Sequence, residues 1–175
     1  MIESKAGSKK SKSNNFKKRS LSRLMAIQVF YQYIFFERKK DLEEIKNELM
    51  DNYVLLPEDV PSSYKSKIDE ALLNNLLLGL SSNEDAILVE VSAFLKQGWS
   101  IDKLDPIMSL ILEFATLELM FLSDIPPKVT INEYVNIAAS FFDTKRVTFV
   151  NGILENLAKK FRVDEMIKIP KKNEY

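Results

Sequence analysis

The sequence has no cysteine, no histidine and only four glycines among its 175 residues. The absence of cysteine excludes disulfides and thiol chemistry. The absence of histidine removes the commonest general base and the commonest metal ligand. Scarce glycine argues against a turn-rich all-β fold, and no glycine-rich loop follows a strand to hold a phosphate. We therefore predict a protein that is not an enzyme and that has no cofactor and no metal.

Apolar residues at helical spacing dominate the rest of the chain. Hydrophobic residues make up 46% of the sequence, which is enough to form a core. Seven segments show the helical period, and none shows the alternation that is typical of a strand. The sequence therefore predicts an all-α fold of about seven helices.

The stretch Ile107–Leu122 is apolar on every side of a helical wheel. This pattern is typical of a helix that is buried all round or spans a membrane. A span needs about 20 apolar residues, and this stretch is shorter and contains Glu113 and Glu118. We therefore predict a central helix surrounded by other helices and no membrane span. The two glutamates are expected on different faces, where they reach the surface or meet a basic partner.

Local motifs predict where the helices begin and end. Asp105-Pro106 marks the start of the central helix, and Pro126-Pro127 follows its end. Ser81–Glu84 predicts a turn between a third and a fourth helix. Thr130–Glu133 fits a capping box at the start of the sixth helix. The other predicted helix starts are Ser20, Asp41, Ser62 or Ser63, and Asp143 or Thr144.

The charge is unevenly distributed along the chain. Residues 1–23 carry eight basic side chains and one acid, although the net charge of the whole chain is zero. A basic arm on an acidic body indicates contact with a polyanion, and the alternative is a solubilising tail. We predict a disordered basic tail over residues 1–18, a folded helical domain over 19–163 and a loose tail over 164–175. With no apolar N-terminal segment to act as a secretory signal, we expect a cytoplasmic protein.

Basic residues flank the start of the first predicted helix. Lys17, Lys18, Arg19 and Arg23 lie there, and the two arginines share a helical face because they are four residues apart. Free N–H groups at a helix start also attract phosphate. These residues are candidate nucleic-acid contacts, and the alternative is a solvated run of charge.

The segment Phe149-Val150-Asn151-Gly152 is unusual for a helix. Phe149 lies off the apolar stripe of its helix, so it is a candidate to stack on an unpaired base or to fill a pocket of a partner. The alternative is an aromatic residue at the edge of the core. Gly152 costs about 1 kcal/mol relative to alanine inside a helix, and such a glycine usually permits close backbone approach.

Four motifs in this order resemble the bacterial transcription antitermination factor NusB family over residues 19 to 158. The Ile-Asn-Glu and Phe-Val-Asn-Gly motifs together are specific. The motifs are Arg23-x-x-Ala26-x-Gln28-x-Phe30-Tyr31, Leu104-Asp105-x-Ile107 continuing to Glu118-Leu119, Ile125-Pro126-x-Lys128-Val129-x-Ile131-Asn132-Glu133-x-Val135, and Phe149-Val150-Asn151-Gly152-Ile153-Leu154.

The resemblance implies two packed helical subdomains around the central helix and a role that is not enzymatic. NusB proteins pair with NusE, a small-subunit ribosomal protein, and bind boxA RNA of nascent ribosomal RNA transcripts in an antitermination complex with RNA polymerase. We expect a monomer or a weak homodimer. By position, the resemblance assigns NusE binding to Tyr31 and RNA contacts to Arg19, Arg23, Lys128, Phe149 and Asn151, beside the basic residues Lys17 and Lys18.

The chain departs from the family at positions that are usually basic, and this predicts a less basic body. One alternative is therefore a stand-alone NusB-like RNA-binding or adaptor module with little intrinsic RNA affinity. A NusB-like domain also precedes the catalytic domain of some ribosomal RNA cytosine methyltransferases, but this chain ends at Tyr175, so we expect a stand-alone module. The departures at usually basic positions are Ser20, Leu21, Glu113, Ala139 and Thr148, and Phe142 replaces a common glycine.

Overall fold

The computed structural model describes residues 4–52, 68–95 and 98–167. Within these ranges the chain forms seven α-helices and a 3₁₀ turn at Ile101–Lys103, with no strand, so the all-α prediction is confirmed. The helices are α1 (Ser4–Phe35), α2 (Leu42–Asn52), α3 (Glu70–Ser92), α4 (Pro106–Phe121), α5 (Pro127–Phe141), α6 (Thr144–Phe161) and α7 (Val163–Ile167).

The chain divides into two compact units, residues 1–82 and 83–175, and the boundary falls inside α3. The helix α3 runs without a break through Ser81–Glu84, so the turn predicted there is wrong. Serine and asparagine each cost a helix less than about 1 kcal/mol, which does not interrupt a helix with a well-packed apolar face. The predicted start of this helix at Ser62 or Ser63 lies outside the described residues.

In the first unit, α1 packs against α2, and Asp41 caps α2 as predicted. Its carboxylate accepts hydrogen bonds from the backbone N–H groups of Glu43, at 2.8 Å, and of Glu44, at 3.2 Å. The helix α1 begins at Ser4, whereas a disordered tail was predicted up to residue 18. Extending an existing helix adds one hydrogen bond for each residue fixed, and residues 4–18 contain no proline to stop it.

The buried face of α1 covers only some of its apolar residues. Tyr31, Ile34 and Phe35 are 42%, 40% and 73% exposed. The helix has more apolar positions than one face can bury, so sequence spacing alone does not fix which set is covered. The most buried apolar residues are Met25, Ala26, Val29 and Phe30.

In the second unit, α4 packs against both α5 and α6, and these two also pack against each other. Every residue from 110 to 119 is buried, which confirms the central helix within this unit. Glu113 and Glu118 are buried as well, at 5% and 0% exposed, so the expectation that they reach the surface is wrong. The Glu113 carboxylate accepts a hydrogen bond from the Ser109 hydroxyl at 2.6 Å.

The hydroxyl of Thr130 does not cap α5, so the predicted capping box is wrong. The helix begins earlier, with Pro127 in its first turn, and Thr130 lies inside it. Its hydroxyl donates to the Glu118 carboxylate at 3.2 Å, and the Tyr134 hydroxyl donates to the same carboxylate at 2.9 Å. A buried carboxylate needs such donors, and these two bonds fasten α5 to α4.

The predicted caps at the start of α4 and α6 are confirmed. The Asp105 carboxylate accepts from the Ile107 N–H at 2.9 Å, and the Asp143 carboxylate accepts from the Arg146 N–H at 3.0 Å. The predicted loose tail from residue 164 overlaps α7, and residues 168–175 lie outside the described part. Among the described helices, none combines the length and the apolar content that crossing a membrane requires.

Candidate nucleic-acid interface

The first candidate surface lies on α1 in the first unit, where Lys17 is exposed and Lys18 and Arg19 are half-buried. The guanidinium Nε of Arg19 lies 3.9 Å from a carboxylate oxygen of Asp69, and both side chains are about a third exposed. An exposed pair of this kind contributes little stability. These three cations are therefore at or near the surface, as a phosphate contact requires.

The contact between Ser22 and Asp69 holds this part of α1 in place. The Asp69 backbone N–H donates to the Ser22 hydroxyl at 2.9 Å, and that hydroxyl lies within reach of the backbone oxygens of Lys18 and Asp69. The Asp69 carboxylate accepts from the Leu72 N–H at 3.0 Å and so caps α3. Arg19 therefore lies beside the start of α3, in a segment of α1 whose backbone is held in place by the contact between Ser22 and Asp69.

Arg23 is placed differently from the other predicted arginine. Its side chain is 1% exposed, although it was predicted to share an RNA-facing surface with Arg19. A buried guanidinium cannot reach a polyanion outside the protein unless the surrounding structure opens. The burial therefore assigns Arg23 a role in stability, and the predicted RNA contact through Arg23 does not fit this structure.

The second candidate surface lies in the second unit, on the first turns of α6. The half-buried ring of Phe149 packs against Trp99, with the ring centroids 5.5 Å apart and the planes tilted by 37°. Asn151 points to a different side of the helix, since residues two apart do not face each other. Its amide donates to the Glu155 carboxylate at 3.0 Å.

Trp99 and Phe149 line a groove of about 430 Å³. Its base is apolar, because Leu104 and Met108 are only 8% and 5% exposed. Its edge carries exposed cations from two elements, the 3₁₀ turn and the first turn of α6. The lining residues are Trp99, Lys103, Leu104, Asp105, Met108, Lys145, Arg146 and Phe149, which we call the tryptophan groove.

Two of the charged groups in the tryptophan groove already have partners. Asp105 caps α4 through its carboxylate, as described above. The Arg146 guanidinium lies 5.7 Å from the centre of the Phe142 ring, and its Nε lies 3.9 Å from an oxygen of Asp143. The groove therefore combines aromatic surface with an excess of positive charge. This combination suits an unpaired base and its phosphate.

Lys128 is exposed but is not close to the tryptophan groove. The groove includes residues at the start of α4, whereas Lys128 lies just after the end of α4, at the start of α5. A helix of 16 residues is roughly 24 Å long. The structure therefore brings Phe149 together with Lys145 and Arg146 and leaves Lys128 at the other end of the unit.

Gly152 lies on the exposed side of α6, one turn beyond Phe149. A Cβ atom added to it would meet nothing within 4 Å among the described residues. No described part of this chain therefore requires a glycine there, and the close approach expected at Gly152 is not made within the described protein.

A separate apolar surface occupies the C-terminal end of α1 and includes Tyr31, the predicted NusE contact. Tyr31, Ile34, Phe35 and Phe36 are all at least 40% exposed, and the rings of Phe35 and Phe36 meet edge to face at 5.7 Å. Exposed apolar clusters of this kind mark protein interaction sites. We call these four residues the α1 apolar end.

Reasoning from sequence missed Trp99, Lys103, Lys145 and Arg146. The signal for the last two was available, since Lys145 and Arg146 precede Phe149 by four and three residues and so share its side of α6. No local motif marks Trp99 as a site residue. Its contact with Phe149 joins residues fifty positions apart, which no local pattern shows.

A helical fold with a lysine-rich first helix and an aromatic groove edged by cations favours the class of proteins that bind single-stranded nucleic acid. The sequence model of the NusB family matches residues 20–159. This chain therefore belongs to the NusB family.

Individual relatives agree with this assignment. The transcription antitermination protein NusB of Caulobacter vibrioides is 32% identical over 151 residues, covering 85% of this chain and 97% of the relative. The structure of T. maritima NusB matches with a TM-score of 0.66 at 32% identity and covers 86% of this chain and 97% of that one. Antitermination factors NusB and NusE in complex with dsRNA match with a TM-score of 0.62 at 21% identity, covering 81% of this chain and 96% of that one, which shows the fold alone.

Proposed function

We propose that this chain is a transcription antitermination factor that pairs with NusE and binds boxA RNA of nascent ribosomal RNA transcripts. The observation that carries the proposal is its membership of the NusB family over residues 20–159. The relative from Caulobacter vibrioides is named for transcription antitermination and is matched over 97% of its length. The proposed role is binding without catalysis, in the cytoplasm, where nascent transcripts are made.

Two surfaces support separate roles in contacting the phosphates and the bases of the RNA. Lys17, Lys18 and Arg19 hold phosphates, and Phe149 in the tryptophan groove contacts bases, because phosphate contacts position RNA while base contacts read its sequence. Lys128 extends the RNA path along the second unit, and Asn151 is a further contact on another side of α6. The exposed side chain of Tyr31 on the α1 apolar end binds NusE.

The second candidate function is an adaptor with little RNA affinity of its own. The observation that favours it is burial, since Arg23 is 1% exposed and Glu113 is 5% exposed. Because Arg23 is buried, the RNA surface has one cation fewer. Glu113 is an acidic residue at a position that is usually basic in the family. Such an adaptor would contribute through the α1 apolar end.

An RNA-binding assay separates the two functions. A labelled boxA RNA and a scrambled RNA of the same composition are titrated with this protein, alone and with NusE, and followed by fluorescence anisotropy at several salt concentrations. We expect the NusE complex to prefer boxA by at least tenfold. Equal affinity for both RNAs, or none for either, would contradict the proposed function. NusE binding without RNA binding would support the adaptor.

A further inference from the structure

We propose that the tryptophan groove holds one unpaired base of a single-stranded RNA, stacked on the exposed face of Trp99, with its phosphate between Lys103 and Lys145. This inference rests on the proposed function and names a base-binding site for it. It adds Trp99 as the main stacking surface, beside the base contact proposed for Phe149, whose ring also packs against Trp99.

The position of Trp99 is fixed by its neighbours on both sides. Gly98 has a φ angle of +87°, in the left-handed region that favours glycine. The 3₁₀ turn Ile101–Lys103 follows almost at once. The indole then packs against Phe149 at 5.5 Å, within the range of about 4.5–7 Å that aromatic pairs prefer. Trp99 is therefore held in place before any ligand arrives.

Trp99 nevertheless leaves much of its ring in solvent, since it is 55% exposed. A base cannot enter between Trp99 and Phe149 without separating two rings that already touch. The available stacking surface is therefore the exposed part of the indole, and Trp99 lines the groove. A volume of about 430 Å³ suits a single small ligand unit.

The charges around the groove favour a nucleotide over an uncharged aromatic ligand. Lys103 and Lys145 are exposed and line the groove from two different elements, one from the 3₁₀ turn and one from α6. Lysine acts as a mobile point charge and can follow a phosphate. The Asp105 carboxylate is engaged as the cap of α4 at 2.9 Å, which limits its repulsion of an anion.

A peptide with an aromatic and an acidic residue is the competing occupant. The position of Phe149 favours RNA, because the proposed function already places this side chain on the RNA surface. A peptide of NusE in the groove would make Trp99 part of the protein interface instead. The experiment below separates these occupants.

Trp99 is the only tryptophan of the chain, so its fluorescence reports on the groove alone. The full chain in complex with a tryptophan-free NusE is titrated with labelled boxA RNA, and RNA anisotropy and Trp99 emission are recorded together. A series of RNAs each carries one abasic position. We expect Trp99 emission to be quenched at the same RNA concentration at which anisotropy rises, and one abasic position to abolish the quenching.

Substitutions test the affinity that the groove supplies. Trp99→Ala is expected to weaken boxA binding by about tenfold or more, whereas Trp99→Phe retains most of it, because stacking on an aromatic ring is worth this much per base. The control is Phe141→Ala, an aromatic residue of the same unit that is 45% exposed. Lys145→Gln is expected to weaken binding several-fold, whereas Lys159→Gln, another exposed lysine of α6, leaves it unchanged.

The outcomes distinguish the inference from the proposed function. If RNA anisotropy rises but Trp99 emission does not change for any RNA, the base-binding groove is wrong while the proposed function stands. If Trp99→Ala weakens NusE binding and leaves RNA affinity unchanged, the groove is a protein interface and the inference is overturned. If no RNA binds at any salt concentration, the proposed function fails and this inference fails with it.

Discussion

The helices α1 and α6 both carry proposed RNA contacts, but they offer different chemistry. The first half of α1 supplies lysines, which act as mobile point charges. The start of α6 supplies Phe149, which packs against Trp99 and forms one side of a groove. Contacts to phosphate carry no sequence information, whereas contacts to bases do. The comparison therefore separates overall affinity, assigned to α1, from the preference for boxA, assigned to α6.

The two helices also differ in how much of the tertiary structure their proposed RNA contacts require. Lysines on α1 require only a helix and an open surface. The tryptophan groove requires Gly98, a 3₁₀ turn and the start of α4 to meet α6 in one geometry. Substitutions that change packing in the second unit should therefore affect sequence preference before they affect charge-driven binding.

The largest effect is expected from removing residues 1–18, which contain six lysines. The slope of log affinity against log salt is negative. Each lysine that no longer neutralises a phosphate reduces its magnitude by about 0.7 for a single strand, so removing all six should reduce the magnitude by up to about 4. Affinity for boxA and for scrambled RNA should fall alike. Titrations of the NusE complex at several salt concentrations measure both.

A full-length variant with these six lysines changed to glutamine is the matched control, since it keeps the length of the helix. It should behave like the deletion. An unchanged slope in both variants would mean that the basic segment is only a solubilising tail, and the assignment of affinity to α1 would be wrong.

The second effect concerns the burial of Arg23. Arg23→Ala should lower the free energy of unfolding by about 3 kcal/mol, because it removes a buried charged group together with its interactions. Lys17→Ala, which removes a charge from an exposed position of the same helix, should change it by less than about 0.5 kcal/mol. Denaturant titration measures both values.

RNA affinity completes the test of Arg23. The folded fraction of Arg23→Ala should bind boxA as the unchanged protein does. If the Arg23→Ala protein is stable but has lost the preference for boxA, this arginine contacts RNA. The conformation in which Arg23 is buried would then not be the one that binds RNA.

The third effect concerns the other end of α1. Tyr31→Ala should weaken NusE binding by about 2 kcal/mol, since tyrosines often dominate interfaces. The melting temperature should change little, because Tyr31 is 42% exposed. Leu78→Ala is the control in the same unit, at 68% exposed. A large loss of stability with unchanged NusE affinity would show that Tyr31 is a core residue instead.

The smallest effect is expected at Gly152 on α6. Gly152→Ala should raise the free energy of unfolding by up to about 1 kcal/mol, because alanine favours a helix and its Cβ meets nothing within 4 Å. Gly152→Ser should raise it by about half as much. Thermal unfolding measures the difference. A decrease in stability would reveal a contact at Gly152 within the folded protein.

The ends of helices were predictable where a single side chain decides them. The Asp41, Asp105 and Asp143 caps follow from one carboxylate and the backbone beside it. The turn at Ser81–Glu84 was not predictable in this way, because polar residues permit a turn without requiring one. Thr130 fitted a capping motif, but a buried carboxylate from α4 binds its hydroxyl instead.

The candidate site was predictable only in part. Lys17, Lys18 and Arg19 lie at or near the surface, as the predicted RNA contacts require, and Tyr31 is exposed, as a partner contact requires. Arg23 is buried instead. The helical period could not show this, since it places Arg19 and Arg23 on one side of the helix without showing how deep each lies. Trp99 could not be assigned from sequence, because its partner Phe149 lies on a helix that is distant in the chain.

The sequence by itself determined the all-α class, the central helix α4 and the uneven charge, because each depends on residue type and local spacing. Only the tertiary structure decided which apolar and charged residues of a helix are covered. That choice depends on how a neighbouring helix packs, and α1 carries apolar residues on more than one side. The same packing brings Trp99, Lys145 and Phe149 to one groove, so this proposed base-binding site exists only in the folded second unit.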